Sequence, residues 1–88
     1  MDRQQHFDCD FPWLKGEIAK LTEVLTIYVA QNPERNERRA QAVRLRLGLD
    51  SGEFLTFKKV GKAMGLSSSR ADELYYEARR EIKHFSSI

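Results

Sequence analysis

The residues best equipped for chemistry lie in one stretch, residues 56–85, TFKKVGKAMGLSSSRADELYYEARREIKHF. Here Lys58, Lys59, Lys62, Arg70, Arg79, Arg80 and Lys83 face Asp72, Glu73, Glu77 and Glu81, seven cations against four carboxylates, a net +3. Residues 1–11 run the other way, with Arg3 against Asp2, Asp8 and Asp10. A chain of net charge +2 is not basic enough by its total to imply a nucleic-acid partner, but the distribution is more informative than the sum, and its positive end is residues 56–85. Other chemistries find little support. His6 and Cys9 fall short of the about four ligands a metal site needs, and the second histidine, His84, stands near the far end of the chain. No nucleophile has a base beside it, so the expectation is no catalytic residue, no metal, no cofactor and no enzyme.

The elements that must carry these cations follow from periodicity. Phe57, Val60, Ala63 and Met64 recur at helical spacing, and Thr56 is placed to cap the helix they predict over 57–64. Gly65 can take the left-handed conformation that ends it, Leu66 can plug the angle to the next helix, and Ser67 can cap that helix. From 68 to 85, Ala71, Leu74, Tyr75, Ala78, Ile82 and Phe85 keep one inward stripe, which leaves Ser69, Glu73, Tyr76, Arg80 and Lys83 outward. Two helices joined by a glycine turn have the outline of a helix-turn-helix.

Upstream, Pro33 stops one helix and starts another with Asn32 as cap. The first runs over about 13–31, with Leu14, Ile18, Leu21, Leu25 and Tyr28 at 4-3 spacing; that spacing also suits a homodimer seam, although intramolecular packing is favoured. The second spans 34–47, with Ala40, Val43 and Leu47 inward, Arg35, Arg38, Arg39, Arg44 and Arg46 mostly outward, and Gly48 closing it. Residues 49–55 read as a loop with apolar ends, and residues 1–11, without a period, as a flexible tail. The expected fold is all-α, four helices ending in the helix-turn-helix, with a tail (1–11), an N-terminal helix (12–33) and a C-terminal domain (34–88). Eighty-eight residues make one domain, too small to wall in a sizeable substrate. No apolar run approaches a membrane span of ~20 residues, no secretory signal is evident, and a single cysteine suits a reducing cytoplasm.

Residues 38–85 resemble region 4 of primary bacterial sigma factors. The resemblance rests on Arg44-Leu45-Arg46-Leu47-Gly48, the acidic loop from Asp50 to Glu53, Thr56 with Val60-Gly61, the Leu66-Ser67 turn, Arg70, and the tail Ala78-Arg79-Arg80-Glu81-Ile82-Lys83-His84. It implies a four-helix domain that reads the −35 promoter element and docks on the flap of the RNA polymerase β subunit, without catalysis. A stand-alone region of this kind with a private N-terminal helix resembles a regulator carried by a phage or mobile element.

The resemblance also implies residue roles. Positions that read bases in the family fall on Ser68, Ser69, Arg70 and Glu73, with Lys58, Lys59 and Arg80 as further cations on the DNA side. Arg70 can pair with a guanine edge or a phosphate, and Ser69 can make a weaker base contact. Asp72 and Glu73 stand where the family tends to place Arg and Gln, and carboxylates repel phosphates unless they accept from cytosine amines. Positions that help hold the flap fall on Val43, Leu47, Leu74 and Ile82, all apolar, as a plain core would also require. Three functions compete: a transcription regulator that contacts the polymerase flap, promoter duplex or both; a protein-interaction module, a sigma mimic or sigma-binding factor, whose DNA face Asp72, Glu73 and Glu77 have acidified; and a DNA-binding repressor that dimerises through residues 13–31.

Overall fold

Asp2 and Gln5 open the first helix with a reciprocal cap: the Asp2 carboxylate accepts from the Gln5 amide at 2.9 Å, and the Gln5 side-chain oxygen accepts from the Asp2 amide at 2.8 Å. The structure is a computed structural model that describes the backbone of residues 2–86 and the side chains of residues 2–84. It contains five α-helices, α1 (Arg3–Asp10), α2 (Ile18–Gln31), α3 (Pro33–Leu47), α4 (Phe57–Met64) and α5 (Ser68–Ser86), with a 3-10 turn at Pro12–Leu14 and no strand among the described residues. The all-α expectation holds.

Two N-terminal expectations need correction. Residues 3–10 are not the loose tail their polarity suggests: they are helical and bring Phe7, with Phe11 one turn on, into the core. Burial of two phenylalanines at i, i+4 supplies what the polar neighbours do not. The continuous helix over 13–31 is interrupted: Lys15 and Gly16 adopt left-handed dihedrals (φ 52° and 79°) and α2 starts at Ile18. The break lets Leu14 turn inward, and the Gln4 side-chain amide donates to the Gly16 carbonyl at 3.1 Å. Beyond it α2 buries Leu21, Leu25 and Tyr28, spaced 4 and 3 apart as a single inward stripe. These are the residues of the supposed dimer seam. They pack against α3 and α5 within the same chain.

The α2–α3 corner forms as proline chemistry dictates. Asn32 caps α3 by accepting from the Arg35 amide at 3.3 Å, and Pro33 occupies the first turn, where its missing N–H costs nothing. Asn36, buried, donates to the Tyr28 carbonyl at 2.7 Å and so satisfies an acceptor near the end of α2. Gly48 ends α3 in the left-handed conformation, and the chain doubles back so tightly that a Cβ there would lie 2.2 Å from the Glu53 carbonyl oxygen.

Thr56 then caps α4 through the Lys59 amide at 3.3 Å, Gly65 ends it at φ 71°, and Ser67 caps α5 by accepting from the Arg70 amide at 3.1 Å. The three-residue turn brings α4 against α5, and Leu66 is half-buried in the angle. α5 is the hub, packed on α2, α3, α4 and the 3-10 turn. Its inward stripe is Ala71, Leu74, Tyr75, Ala78 and Ile82, all buried; the side chain of Phe85, expected on the same stripe, lies outside those described.

Gly48 and Gly65 share the left-handed conformation but not the crowding, since nothing lies within 4 Å of a Cβ at Gly65. Gly65→Ala is expected to cost about 1 kcal/mol, the ordinary left-handed penalty, and Gly48→Ala at least about 2 kcal/mol more, because backbone cannot move aside cheaply. Urea melts of the two variants check this; equal losses would contradict the close approach of the loop to Gly48.

Candidate nucleic-acid interface

The start of α5 is presented by its own cap. With Ser67 holding the Arg70 amide, the side chains of Ser68, Ser69 and Arg70 project from the first turn into solvent. Lys58 and Lys59, in the first turn of α4, are exposed as well. Ser69, Glu73, Tyr76 and Arg80 follow one another at 4, 3 and 4 residues and are all exposed, so they form one outward stripe opposite the buried one. The predicted DNA-side residues are therefore accessible, but they do not form one tight cluster. Arg80 lies ten residues beyond Arg70, roughly 15 Å along the helix.

Arg70 is engaged within its own helix. Its Nη1 is 3.0 Å from Glu73 Oε2 and 3.9 Å from Glu77 Oε1, so a guanine edge or phosphate must compete with two carboxylates. Glu77 is less of an acidic intruder than its sequence position implied, because Arg39 of α3 reaches it at 2.7 Å. A turn further on, Glu81 accepts from both terminal nitrogens of Arg35 and from the Tyr28 hydroxyl, the last at 2.5 Å. Two arginines of α3, expected to face outward, thus bind the carboxylates of α5 and tie the helices together. The Arg35 hydrogen bonds hold Glu81 at a pKa of about 2, against a smaller opposing push from burial, with the Tyr28 hydroxyl helping.

Arg46 departs further from its expected outward position. Its guanidinium stacks on Phe54 at 4.2 Å and on Phe57 at 3.9 Å, and its Nη1 donates to the Leu55 carbonyl at 2.8 Å. His6 of α1 stacks on Phe54 at 3.9 Å, where burial first, and then the neighbouring Arg46 charge, lower its pKa. Ring and guanidinium planes thereby join α1, α3, the 48–55 loop and α4.

The four residues assigned to the polymerase flap require correction. Val43, Leu47 and Ile82 are 0% exposed and Leu74 is 1% exposed. They hold α3 to α5 from inside, so a partner docking on the folded chain meets other side chains. Core and docking positions share the same apolar spacing, which is why the pattern could not separate them.

One feature was not legible in the pattern. A groove of ≈ 360 Å³ lies between the 3-10 turn and the C-terminal half of α5, lined by Pro12, Trp13, Arg79, Arg80 and Lys83. Trp13 stands beside these cations on the 3-10 turn, which the left-handed Lys15 and Gly16 set apart from α2. Elsewhere, no group of three or more His, Cys, Asp or Glu side chains able to hold a metal ion comes together among the described residues. Nor is any helix among them long and apolar enough to cross a membrane.

No family model matches the chain. No solved structure matches it. Over 71 residues, 81% of its length, the chain is 38% identical to an RNA polymerase sigma factor, SigA, from a Bacillus species. The chain spans 16% of that relative's length. The matched stretch is longer than residues 38–85, and since only three residues follow Phe85, it reaches back through α2.

Glu81 is held ionised in the folded chain, so its contribution is fully present above its unfolded value of 4.5 and is lost as pH falls toward about 2. In Glu81→Gln the decline in stability between these pH values is expected to flatten, while stability near neutrality drops because Arg35 loses its carboxylate. Thermal melts of both proteins across that range check this, and an unchanged acid slope would count against the Arg35–Glu81 bond.

Proposed function

Because the chain carries a sigma-factor-like region, as its match to SigA shows, we propose that it is a transcription regulator that contacts RNA polymerase at the β flap, with promoter duplex as an accessory partner, using α4, the 65–67 turn and α5 as a helix-turn-helix. The observation that carries this reading is the coincidence of that match with a capped α5 whose first turn leaves Ser68, Ser69 and Arg70 exposed. Regulation, in this reading, is by binding alone. Val43, Leu47, Leu74 and Ile82 hold the scaffold rather than the flap.

The Arg70 pairs favour giving DNA the accessory role. A guanidinium already shared between Glu73 and Glu77 has to leave them to reach a base or phosphate, and Glu73 then brings its own charge toward the backbone. The exposed Arg70–Glu73 pair is worth no more than about 1 kcal/mol, so the exchange is affordable but not free. A protein-interaction module that retains the fold without reading DNA is the second reading, and the same pairs support it.

Gel shifts on promoter and random duplexes across a salt series separate the two. Arg70→Glu is expected to weaken duplex binding by roughly 1–3 kcal/mol, and Glu73→Gln to strengthen it by a factor of about two to five, since it frees Arg70 and removes a repelling charge. Both variants are expected to leave capture on isolated β flap unchanged. Absence of duplex binding even at low salt, with flap capture intact, selects the second reading; loss of both partners rejects the proposal.

A further inference from the structure

Glu77 stands between two arginines from different helices. Its Oε2 lies 2.7 Å from Nη2 of Arg39 on α3, and its Oε1 lies 3.9 Å from Nη1 of Arg70 at the start of α5. The nearer pair is also the more enclosed: the Arg39 and Glu77 side chains are 17% and 26% exposed, against 43% for Arg70. Glu77 Oε2 is shut off from water and accepts no hydrogen bond among the described residues, so the Arg39 charge is what offsets its burial. Arg39 is itself anchored, because its Nη1 donates to the Arg35 carbonyl one turn back at 2.7 Å. The close partner of Arg70 is Glu73 at 3.0 Å, which is 62% exposed, so solvent weakens that pair.

We propose that Arg39 is a positioning residue for duplex recognition: by holding Glu77 against α3 it leaves Arg70 with one weak partner, and so available to a phosphate or a guanine edge. Without Arg39, the enclosed carboxylate turns to the next cation, Arg70, already within 3.9 Å. Glu77 lies seven residues beyond Arg70, about 10 Å along the helix, so a tighter pairing draws the guanidinium down α5 and away from the exposed first turn. Arg39 thus acts through Glu77, not on the duplex. This role rests on the duplex-contacting part of the regulatory reading and adds to it the residue that sets how far Arg70 is free.

The full chain and its variants R39M, E77Q and R39M/E77Q are titrated with promoter duplex at low salt, with circular dichroism to verify the fold. R39M is expected to bind about fivefold more weakly, the scale of one surface ion pair, and R39M/E77Q to return to within about twofold of the unsubstituted chain. Loss of stability alone, with the fold intact, leaves the affinity of both variants unchanged. In parallel, urea melts of a double-mutant cycle over R70M and E77Q measure the Arg70–Glu77 coupling with and without Arg39. That coupling is expected to change the unfolding constant by less than about twofold in the unsubstituted background and by about three- to fivefold in R39M. Should R39M prove unfolded, R39K takes its place: it keeps the charge but not the fork that also holds the Arg35 carbonyl, and its loss of about twofold is likewise restored by E77Q. The proposal is overturned if the Arg39 variant binds duplex as tightly as the unsubstituted chain, if E77Q fails to restore its binding, or if the Arg70–Glu77 coupling is the same with and without Arg39. A chain that binds no duplex at low salt removes the DNA half of the regulatory reading, and the coupling measurement then decides the role of Arg39 alone.

Discussion

The guanidinium of Arg46, held between the rings of Phe54 and Phe57, is the contact on which the placement of the other elements depends. It lies at the end of α3, one ring belongs to the returning loop and the other to the first turn of α4. Loop and helix are therefore seated on α3 together. The arrangement is charged but not costly in the way an isolated buried ion is, because the cation lies on two aromatic faces and its Nη1 reaches the Leu55 carbonyl. Burial nonetheless lowers the Arg46 pKa. Once α4 is seated, the glycine turn and the Ser67 cap leave little freedom in where the first turn of α5 points.

The second organising feature is the way charges are divided along α5. Its carboxylates at Glu77 and Glu81 face α3 and are taken up by Arg39 and Arg35, whereas Asp10 of α1 accepts from the Tyr75 hydroxyl at 2.6 Å and holds Arg79. The acids thus serve to dock helices, and the cations without such duties, Arg80 and Lys83, are left to solvent. Net charge by segment could not reveal this, because it counts a paired glutamate and a free one alike.

Much of the fold could be read from residue types. The ends of α2, α3 and α4 fall where Pro33, Gly48 and Gly65 place them, and the inward stripe of α5 is the one its periodicity predicts. What escaped were cases where the residue type misleads about its surroundings. Arg46 is charged and was assigned to solvent, yet its planar group packs like a ring. Residues 3–10 are polar enough to suggest a tail, yet the Asp2 and Gln5 capping box and the Phe7 and Phe11 spacing were both present. At the candidate site, the exposure of Ser69, Glu73, Tyr76, Arg80 and Lys83 was legible from the helix pattern, while the engagement of Arg70 by Glu73 and Glu77 and the placing of Trp13 beside α5 depend on tertiary geometry.

The seating of α1 has an entropic side. Its bond from Asp10 to Tyr75 joins residues 65 apart in sequence, whereas the Asn36 to Tyr28 bond that secures the α2–α3 corner spans only eight. Loop-closure entropy grows by about 0.6 kcal/mol per doubling of length, so the long closure costs about 2 kcal/mol more than the short one. The docking of α1 therefore carries a larger closure cost than the α2–α3 corner, and its departure from the folded chain regains that cost. Such a partial opening bares Phe7, Phe11 and the ring of Tyr75 while leaving α3, α4 and the turn intact. The N-terminal helix is in this sense a cover whose stability sets how often the aromatic interior beneath it meets solvent.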